Sequence, residues 1–449
     1  MSQKTILAPM AELQLLTKEQ CAAFHAELTA KCADVYDFAS SVIAGSIGIK
    51  GDMLERAVRI ANIFQCVCRT LHVGLSAGGN IAQVMLQPFD ALPTIRKSII
   101  DSPFCLAYFR MDFFLDVHDQ NAPLKIMEIN SGGAGLTDFL RSIRFLEKHH
   151  NFHPPQGRSL IDIPTMLKTL LCFAKQQGPI KTFGFAAIEN GCDEYMCECL
   201  EYAAWMRENT AIKPVLLTLT NGELSLLQDA RCPCPIQDVH ELDVVFADWF
   251  EDLPCLEQVE KQLQEYGIRT VPARSDLPFE QKGFLSLLQN IEKPAGVSRE
   301  DWDLLQAALL PSFPLTEYRK HVEEMRNWPG IVLKMDVDCA SENVFIFDFH
   351  NTSLEDAIAF LERTLKYRHQ PTWSVQRFLP PPHLPIYGSA PSWIPFDYAS
   401  YKYDLMTYLC YEEESPSVLF GSRCYSRDKW DELTEEGIAD GLWAPVSVL

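Results

Sequence analysis

The stretch that decides the fold is "FRMDFFLDVHDQNAPLKIMEIN", residues 109–130. Successive side chains of a strand point to opposite faces, so residues two apart share a face. The odd positions of its first run are all apolar: Phe109, Met111, Phe113, Leu115 and Val117. The even positions are Arg110, Asp112, Phe114 and Asp116. The pattern predicts a strand with one face in the core and a second, largely ionic face.

A second run, "LKIMEIN", follows the turn-like "HDQNAP". Strict alternation places Leu124, Ile126, Glu128 and Asn130 on one face of this second strand. If the two runs pair as a hairpin, Arg110 and Asp112 lie beside Glu128 and Asn130 at a sheet edge.

These side chains allow two interpretations. Two carboxylates and an amide oxygen form the hard ligand set that Mg²⁺ requires, and Arg110 beside them would neutralise charge on a transferring phosphoryl group. The alternative is an ordinary amphipathic hairpin whose ionic face is solvated, which is the usual fate of alternating antiparallel strands. Spacing alone favours the solvated face.

Composition narrows the class of protein. The chain has 449 residues, which is long enough for two or three domains, and its net charge of −21 (39 basic and 60 acidic residues) disfavours nucleic acid and anionic membranes as partners. No signal peptide or membrane-spanning run is recognisable, so we expect a cytoplasmic protein. In that compartment we expect the fifteen cysteines to be reduced and mostly buried. Their C-x-C pairs lack the spacing of a structural zinc site.

The order of elements predicts three parts. Residues 17–73 have a helical pattern, and the hairpin follows them. From about residue 180 strands and helices alternate, as in a small α/β unit with parallel strands. The last third predicts a hairpin at "WPGIVLKMDVDCASENVFIFDF", a helix at "SLEDAIAFLERTLKYR" and further strands, which together indicate helices on an antiparallel sheet.

The pattern R-x-D followed by E-x-N at a strand end resembles the circularly permuted ATP-grasp ligases, the family of glutathionylspermidine synthetase-like carboxylate-amine ligases. The resemblance implies a mixed α+β and α/β fold: a permuted ATP-grasp core of antiparallel sheets and helices, with a small inserted α/β domain. The implied division is residues 1–150 for the metal-binding half, 175–272 for the inserted domain, and 273–449 for the nucleotide-binding half.

The resemblance also implies the site. Asp112, Glu128 and Asn130 would hold Mg²⁺, and Arg110 would be the catalytic residue facing an acyl phosphate. ATP would be bound by the lysines in "DLPFEQKGFLSLLQ" and "GIVLKMD", by the hinge glutamine in "WSVQRFL" and by the arginine in "SVLFGSRCYS". These nucleotide-binding residues are Lys282, Lys334, Gln376 and Arg423.

The implied activity is ATP-dependent ligation of a small-molecule carboxylate to an amine, with an amino acid, peptide or polyamine as the class of substrate. The chain departs from the family in the loop after Lys334, where "DVDCASENV" has none of the glycines that cover the phosphates. A degenerate relative that binds nucleotide or a partner without turnover is therefore the alternative. An acidic scaffold with a merely solvated hairpin is a third. Neither the substrates nor the oligomeric state follows from the sequence.

Overall fold

The structure is a computed structural model. It describes residues 11–15, 19, 23, 45–116, 123–131, 140, 143, 161–188, 193–220, 222–246, 253–336, 344–367, 372–380, 402–403, 405–411, 416–425 and 442–448. Two stretches lie almost wholly outside these residues: "TDFLRSIRFLEKHH", whose sequence predicts a short helix, and the glycine-free loop after Lys334.

Helices and strands alternate along the described chain. The α-helices are α1 (Gly51–Leu75), α2 (Asn80–Leu86), α3 (Pro93–Asp101), α4 (Ile163–Gln176), α5 (Asp193–Asn209), α6 (Leu253–Tyr266), α7 (Leu277–Glu280), α8 (Lys282–Asn290), α9 (Arg299–Ala308), α10 (Val322–Met325) and α11 (Leu354–Tyr367). The strands are β1 (Ala11–Leu15), β2 (Gly45–Ile49), β3 (Tyr108–Leu115), β4 (Leu124–Ser131), β5 (Thr182–Ile188), β6 (Lys213–Thr220), β7 (Glu223–Leu226), β8 (Val244–Phe246), β9 (Arg269–Val271), β10 (Ser312–Pro314), β11 (Gly330–Met335), β12 (Val344–Asp348), β13 (Trp373–Arg377), β14 (Lys402–Tyr403), β15 (Leu405–Cys410), β16 (Ser417–Tyr425) and β17 (Leu442–Val448).

Three sheets organise the described residues. The largest has the order β1-β2-β17-β16-β15-β3-β4, with β14 beside β16, and is antiparallel except where β17 meets β2. The second is antiparallel, in the order β10-β13-β11-β12. The third has the order β7-β6-β5-β8-β9 and is parallel apart from β7. The mixed α+β architecture, with a small α/β unit between two antiparallel parts, is confirmed.

Strand β3 of the largest sheet is covered on both faces. On one face, Phe109 packs 6.2 Å from Phe64 of α1, a helix that buries Ala57, Ala61, Phe64 and Cys68 at intervals of three and four residues. On the other face, α4 contacts β3 and β15. Every residue of β3 is buried, so the alternative interpretation of a solvated ionic face does not hold for this strand.

Two further predictions need correction. Residues 17–73 are not helical throughout, because strand β2 (Gly45–Ile49) lies within them. Its five residues, "GSIGI", are too few to show a clear strand period in the sequence. Secondly, Leu124 and Ile126 do not share a face with Glu128, since the register shifts after Asp112 and leaves Met127 as an extra residue in β4. The three-part division by residue number stays a prediction.

Candidate functional site

β3 and β4 pair as an antiparallel hairpin, as predicted. Arg110 lies opposite Asn130 and Asp112 opposite Glu128, so the four side chains belong to one face of the strand pair. The bulge at Met127 produces this arrangement: Leu124 and Ile126 of the same strand join the apolar core instead.

Arg110 and Asp112 form a buried ion pair. Nε of Arg110 donates to Oδ1 of Asp112 at 2.8 Å, and Nη2 donates to Oδ2 at 3.0 Å. The guanidinium lies 5.8 Å from the centroid of the Tyr408 ring on the neighbouring strand β15. Asp112 has no exposed surface. The paired geometry therefore holds Arg110 in one orientation on the ionic face.

Glu128 connects this pair to a helix far away in sequence. Its carboxylate lies 3.7 Å from Nη2 of Arg110 and 3.4 Å from Nζ of Lys282, the first residue of α8. The Glu128 side chain keeps 19% of its surface exposed, so it is the more accessible carboxylate of the two. A ligand approaching this edge of the sheet would meet Glu128 and Lys282 together.

Lys334 reaches the hairpin from the second sheet. Its Nζ donates to the carbonyl oxygen of Met127 at 3.2 Å, which is the carbonyl of the bulged residue. On β11 and β13, Lys334 lies opposite Ser374, and Val332 lies opposite Gln376, so all four occupy one face of that sheet. The opposite face packs on α11 in a separate core.

An apolar cluster lies beside these polar groups. It consists of Phe114 from the hairpin and Leu310, Val332, Phe378 and Leu379 from the second sheet and its flanks. Gln376 is 5% exposed at the border of the cluster. The N–H groups of Arg377 and Phe378 donate to the carbonyls of Pro311 and Gly330 at 2.8 and 3.0 Å, so the two N–H groups that follow Gln376 are engaged within the protein.

The structure thus brings six of the eight predicted residues into contact or adjacent register positions: Arg110, Asp112, Glu128, Asn130, Lys282 and Lys334. Gln376 lies on the same sheet face as Lys334. Arg423 lies on β16 opposite Trp443, and its side chain is outside what the structure describes. Sequence reasoning missed Tyr408 beneath Arg110 and the Met127 carbonyl, because pairing across distant strands and a bulge leave no local pattern.

The donor set can be tested against a divalent cation. Asn130 Nδ2 is buried and has no hydrogen-bond partner among the described residues. A half-turn of the side-chain amide exchanges its nitrogen and oxygen, so Asn130 can present either a donor or an acceptor to a ligand. Both Asp112 oxygens accept hydrogen bonds from Arg110. Within the described chain, histidine, cysteine and acidic side chains do not assemble into a three-member metal-binding group. A hard oxygen site with few protein ligands fits these residues, and a softer metal site does not.

Comparisons with known proteins give the fold. No family model and no curated protein matches the chain. Among solved structures, it is similar over 96% of both chains to a glutathione synthetase-like effector from Globodera pallida in its apo form, with a TM-score of 0.54 and 11% identity. A D-alanyl-alanine synthetase A from Vibrio cholerae is similar over 57% of this chain and 72% of its own, with a TM-score of 0.34 and 9% identity. The first of these likenesses shows that the chain shares the fold of that glutathione synthetase-like protein, in agreement with the predicted mixed α+β architecture.

Among the helices that the structure describes, every one is too short or too polar to cross a bilayer.

Proposed function

We propose that the protein is an ATP-dependent carboxylate-amine ligase, which forms an amide or peptide bond through an acyl phosphate and releases ADP and phosphate. One observation carries the proposal. Lys282 and Lys334, which are predicted to bind nucleotide, contact residues 128 and 127 of the hairpin that bears Arg110, although they lie more than 150 positions away along the chain.

The two lysines suit the phosphates of ATP. Lysine meets phosphate as a compact point charge, and both ammonium groups lie at the junction of the hairpin with the second sheet. Gln376 and the apolar cluster around Val332 and Phe378 would contact the base. Because the next two N–H groups are already engaged, base contacts after Gln376 would fall to carbonyl groups or to Leu379. Arg423 is proposed as a further phosphate contact.

Mg²⁺ would be held by Glu128 and Asn130, with Asp112 beneath them. A metal ion held by these residues would supply positive charge to neutralise the negative charge that develops during phosphoryl transfer. Asp112 is fully buried beside Arg110, so it would contribute to the metal site from the interior of the strand pair. The partly exposed Glu128 carboxylate is the ligand best placed to meet an incoming metal.

Arg110 would stabilise the transferring phosphoryl group. Its charge is buried, and the aromatic ring of Tyr408 and the Asp112 carboxylate hold its orientation, so little reorganisation is needed at the moment of transfer. An amine then attacks the acyl phosphate without a covalent enzyme nucleophile. An amino acid, peptide or polyamine is the class of substrate that we propose, and the circularly permuted order, the domain boundaries and a cytoplasmic location stay predictions.

The first experiment is a thermal shift with ADP and Mg²⁺. A nucleotide at about a hundred times its dissociation constant should stabilise the protein by about 2.7 kcal/mol. If the midpoint moves, phosphate release from ATP is then measured with pools of carboxylates and amines. Release that depends on both pools supports the ligase, and an unchanged midpoint at millimolar nucleotide would refute nucleotide binding altogether.

A binder without turnover is the second candidate. The glycine-free "DVDCASENV" after Lys334 offers no glycine backbone to cover the phosphates during transfer. A binder without turnover should show a thermal shift with ADP and Mg²⁺, but it should release no phosphate from ATP with any combination of carboxylates and amines. The two measurements therefore separate the two candidates.

A further inference from the structure

Asp336 lies where the two lysine-bearing elements meet. It follows β11 two residues after Lys334, and it is 7% exposed. Its backbone carbonyl accepts from the N–H of Lys282 at 3.3 Å, and its own N–H donates to the carbonyl of Thr372 at 2.9 Å. One residue thus joins the end of β11 both to the start of α8 and to the chain that enters β13.

The side chain strengthens the same junction. Ser374 Oγ donates to Oδ1 of Asp336 at 2.5 Å. The carboxylate also lies against the first turn of α8: a Cβ added to Gly283 would stand 3.1 Å from Cγ and from both carboxylate oxygens. Gln281, which precedes the helix, makes no side-chain capping bond. Asp336 therefore supplies, from another strand, the negative charge that a helix N-terminus favours.

The environment of the carboxylate ties it to Lys282. Burial raises the pKa of Asp336, while hydrogen bonds from Ser374, Thr372 and the Gly283 backbone, together with the charge of Lys282, act in the opposite direction. A buried acid in such a place is retained only with partners around it. The partners of Asp336 therefore lie on strand β13, with the residue that leads into it, and on the first turn of α8, which begins at Lys282.

We propose that Asp336 is a positioning residue, which sets the location of Lys282 relative to Lys334 and so aligns both ammonium groups for one nucleotide. The inference rests on the proposed function, since it concerns the same nucleotide site. Asp336 itself does not touch the ligand. It acts by fixing the α8 N-terminus against the end of β11, so that Lys282 meets Glu128 while Lys334 meets Met127.

The test is a double-mutant cycle on ADP affinity. Dissociation constants for ADP with saturating Mg²⁺ are measured for the wild type, Asp336→Asn, Lys282→Met and the double variant. If Asp336 acts through Lys282, Asp336→Asn should weaken ADP binding about tenfold alone and less than twofold in the Lys282→Met background, because coupled residues are not additive. A purely structural role would instead give the same loss in both backgrounds, and that result would overturn the proposal.

Two further variants keep the result interpretable. Ser374→Ala removes a single donor and leaves the carboxylate in place, so it should give a smaller loss that also disappears in the Lys282→Met background; it serves where Asp336→Asn does not fold. Asp348→Asn, on the neighbouring strand β12, is the matched control and should leave ADP affinity unchanged. If the wild type itself binds no ADP, the proposed function fails; if it binds and the losses are additive, only the role of Asp336 fails.

Discussion

Asp276 should make the stability of the protein fall as pH rises. This carboxylate is fully buried in the turn Arg274–Asp276, and it accepts from the N–H groups of Leu106 and Cys105 at 2.8 and 3.3 Å. Leu106 has φ +34°, a left-handed conformation that costs free energy in a leucine, so these bonds hold a strained connection just before β3. Burial raises the pKa of Asp276 from 3.8 to about 7, against the opposing effect of the hydrogen bonds.

The sign follows from proton binding. Between pH 3.8 and about 7 the folded protein binds the Asp276 proton and the unfolded chain does not, so the stabilisation present at low pH is lost as pH rises through the folded pKa. One pKa unit corresponds to about 1.4 kcal/mol, which makes the full effect about 4 kcal/mol. Because the isoelectric point is about 4.9, pH 5.5–8.5 is the practical range, and about 2 kcal/mol of the effect falls within it.

Asp276→Asn isolates this effect, since the amide has a similar shape and does not titrate. Free energies of unfolding from urea titrations at pH 5.5, 7 and 8.5 should rise for the variant relative to the wild type by about 2 kcal/mol across the range. Asp301→Asn is the control: a hydrogen bond from Ser298 and the charge of Arg59 lower the pKa of Asp301, so its titration lies below the range and its difference from the wild type should be constant. If the free energies of unfolding of Asp276→Asn and the wild type differ by the same amount at all three pH values, the assigned titration of Asp276 is refuted.

Three further predictions concern the site and its supporting sheet. Arg110→Met should reduce phosphate release at least a hundredfold while ADP affinity changes less than threefold. The reason is that loss of an interaction made only in the transition state lowers turnover and leaves nucleotide binding almost unchanged. Lys334→Met should weaken ADP binding about tenfold or more in the same titration, because a buried charge contact to phosphate is lost. Gly330→Ala should lower the free energy of unfolding in urea by more than about 2 kcal/mol, since its Cβ would stand 2.3 Å from the backbone carbonyl oxygen of Phe347; Gly74→Ala, in open space within α1, should instead be neutral or stabilise by about 0.5–1 kcal/mol.

The sequence was sufficient to predict the elements with a clear period. The hairpin that brings Arg110 and Asp112 beside Glu128 and Asn130, and the parallel α/β unit, follow from alternation and turn residues. These patterns are local. They report which face of a strand is apolar, but they do not report what covers the other face.

Tertiary contacts decide what the patterns leave open. The alternation in β3 favours a solvated ionic face, whereas in the structure every residue of β3 is buried: α4 contacts the strand, and Phe114 packs with Val332 of the second sheet. Because of the bulge at Met127, Ile126 and Glu128 lie on opposite faces of β4, whereas strict alternation predicts that they share a face. Asp336 carries no motif at all, because its role comes from the meeting of α8, β11 and β13, which are distant in sequence.

The burial of this ionic face is itself an argument for function. Moving charges out of water is expensive, and well-packed apolar side chains of similar volume often give equal or greater stability than a buried ion pair. Arg110, Lys282 and Lys334 lie here beside the carboxyl groups of Asp112, Glu128 and Asp336, so three basic and three acidic side chains meet at this junction. The two lysines contact a carboxylate and a carbonyl oxygen, the same kinds of acceptor that phosphate oxygens provide. Nucleotide binding at this junction would therefore exchange one set of oxygen acceptors for another around the same two ammonium groups.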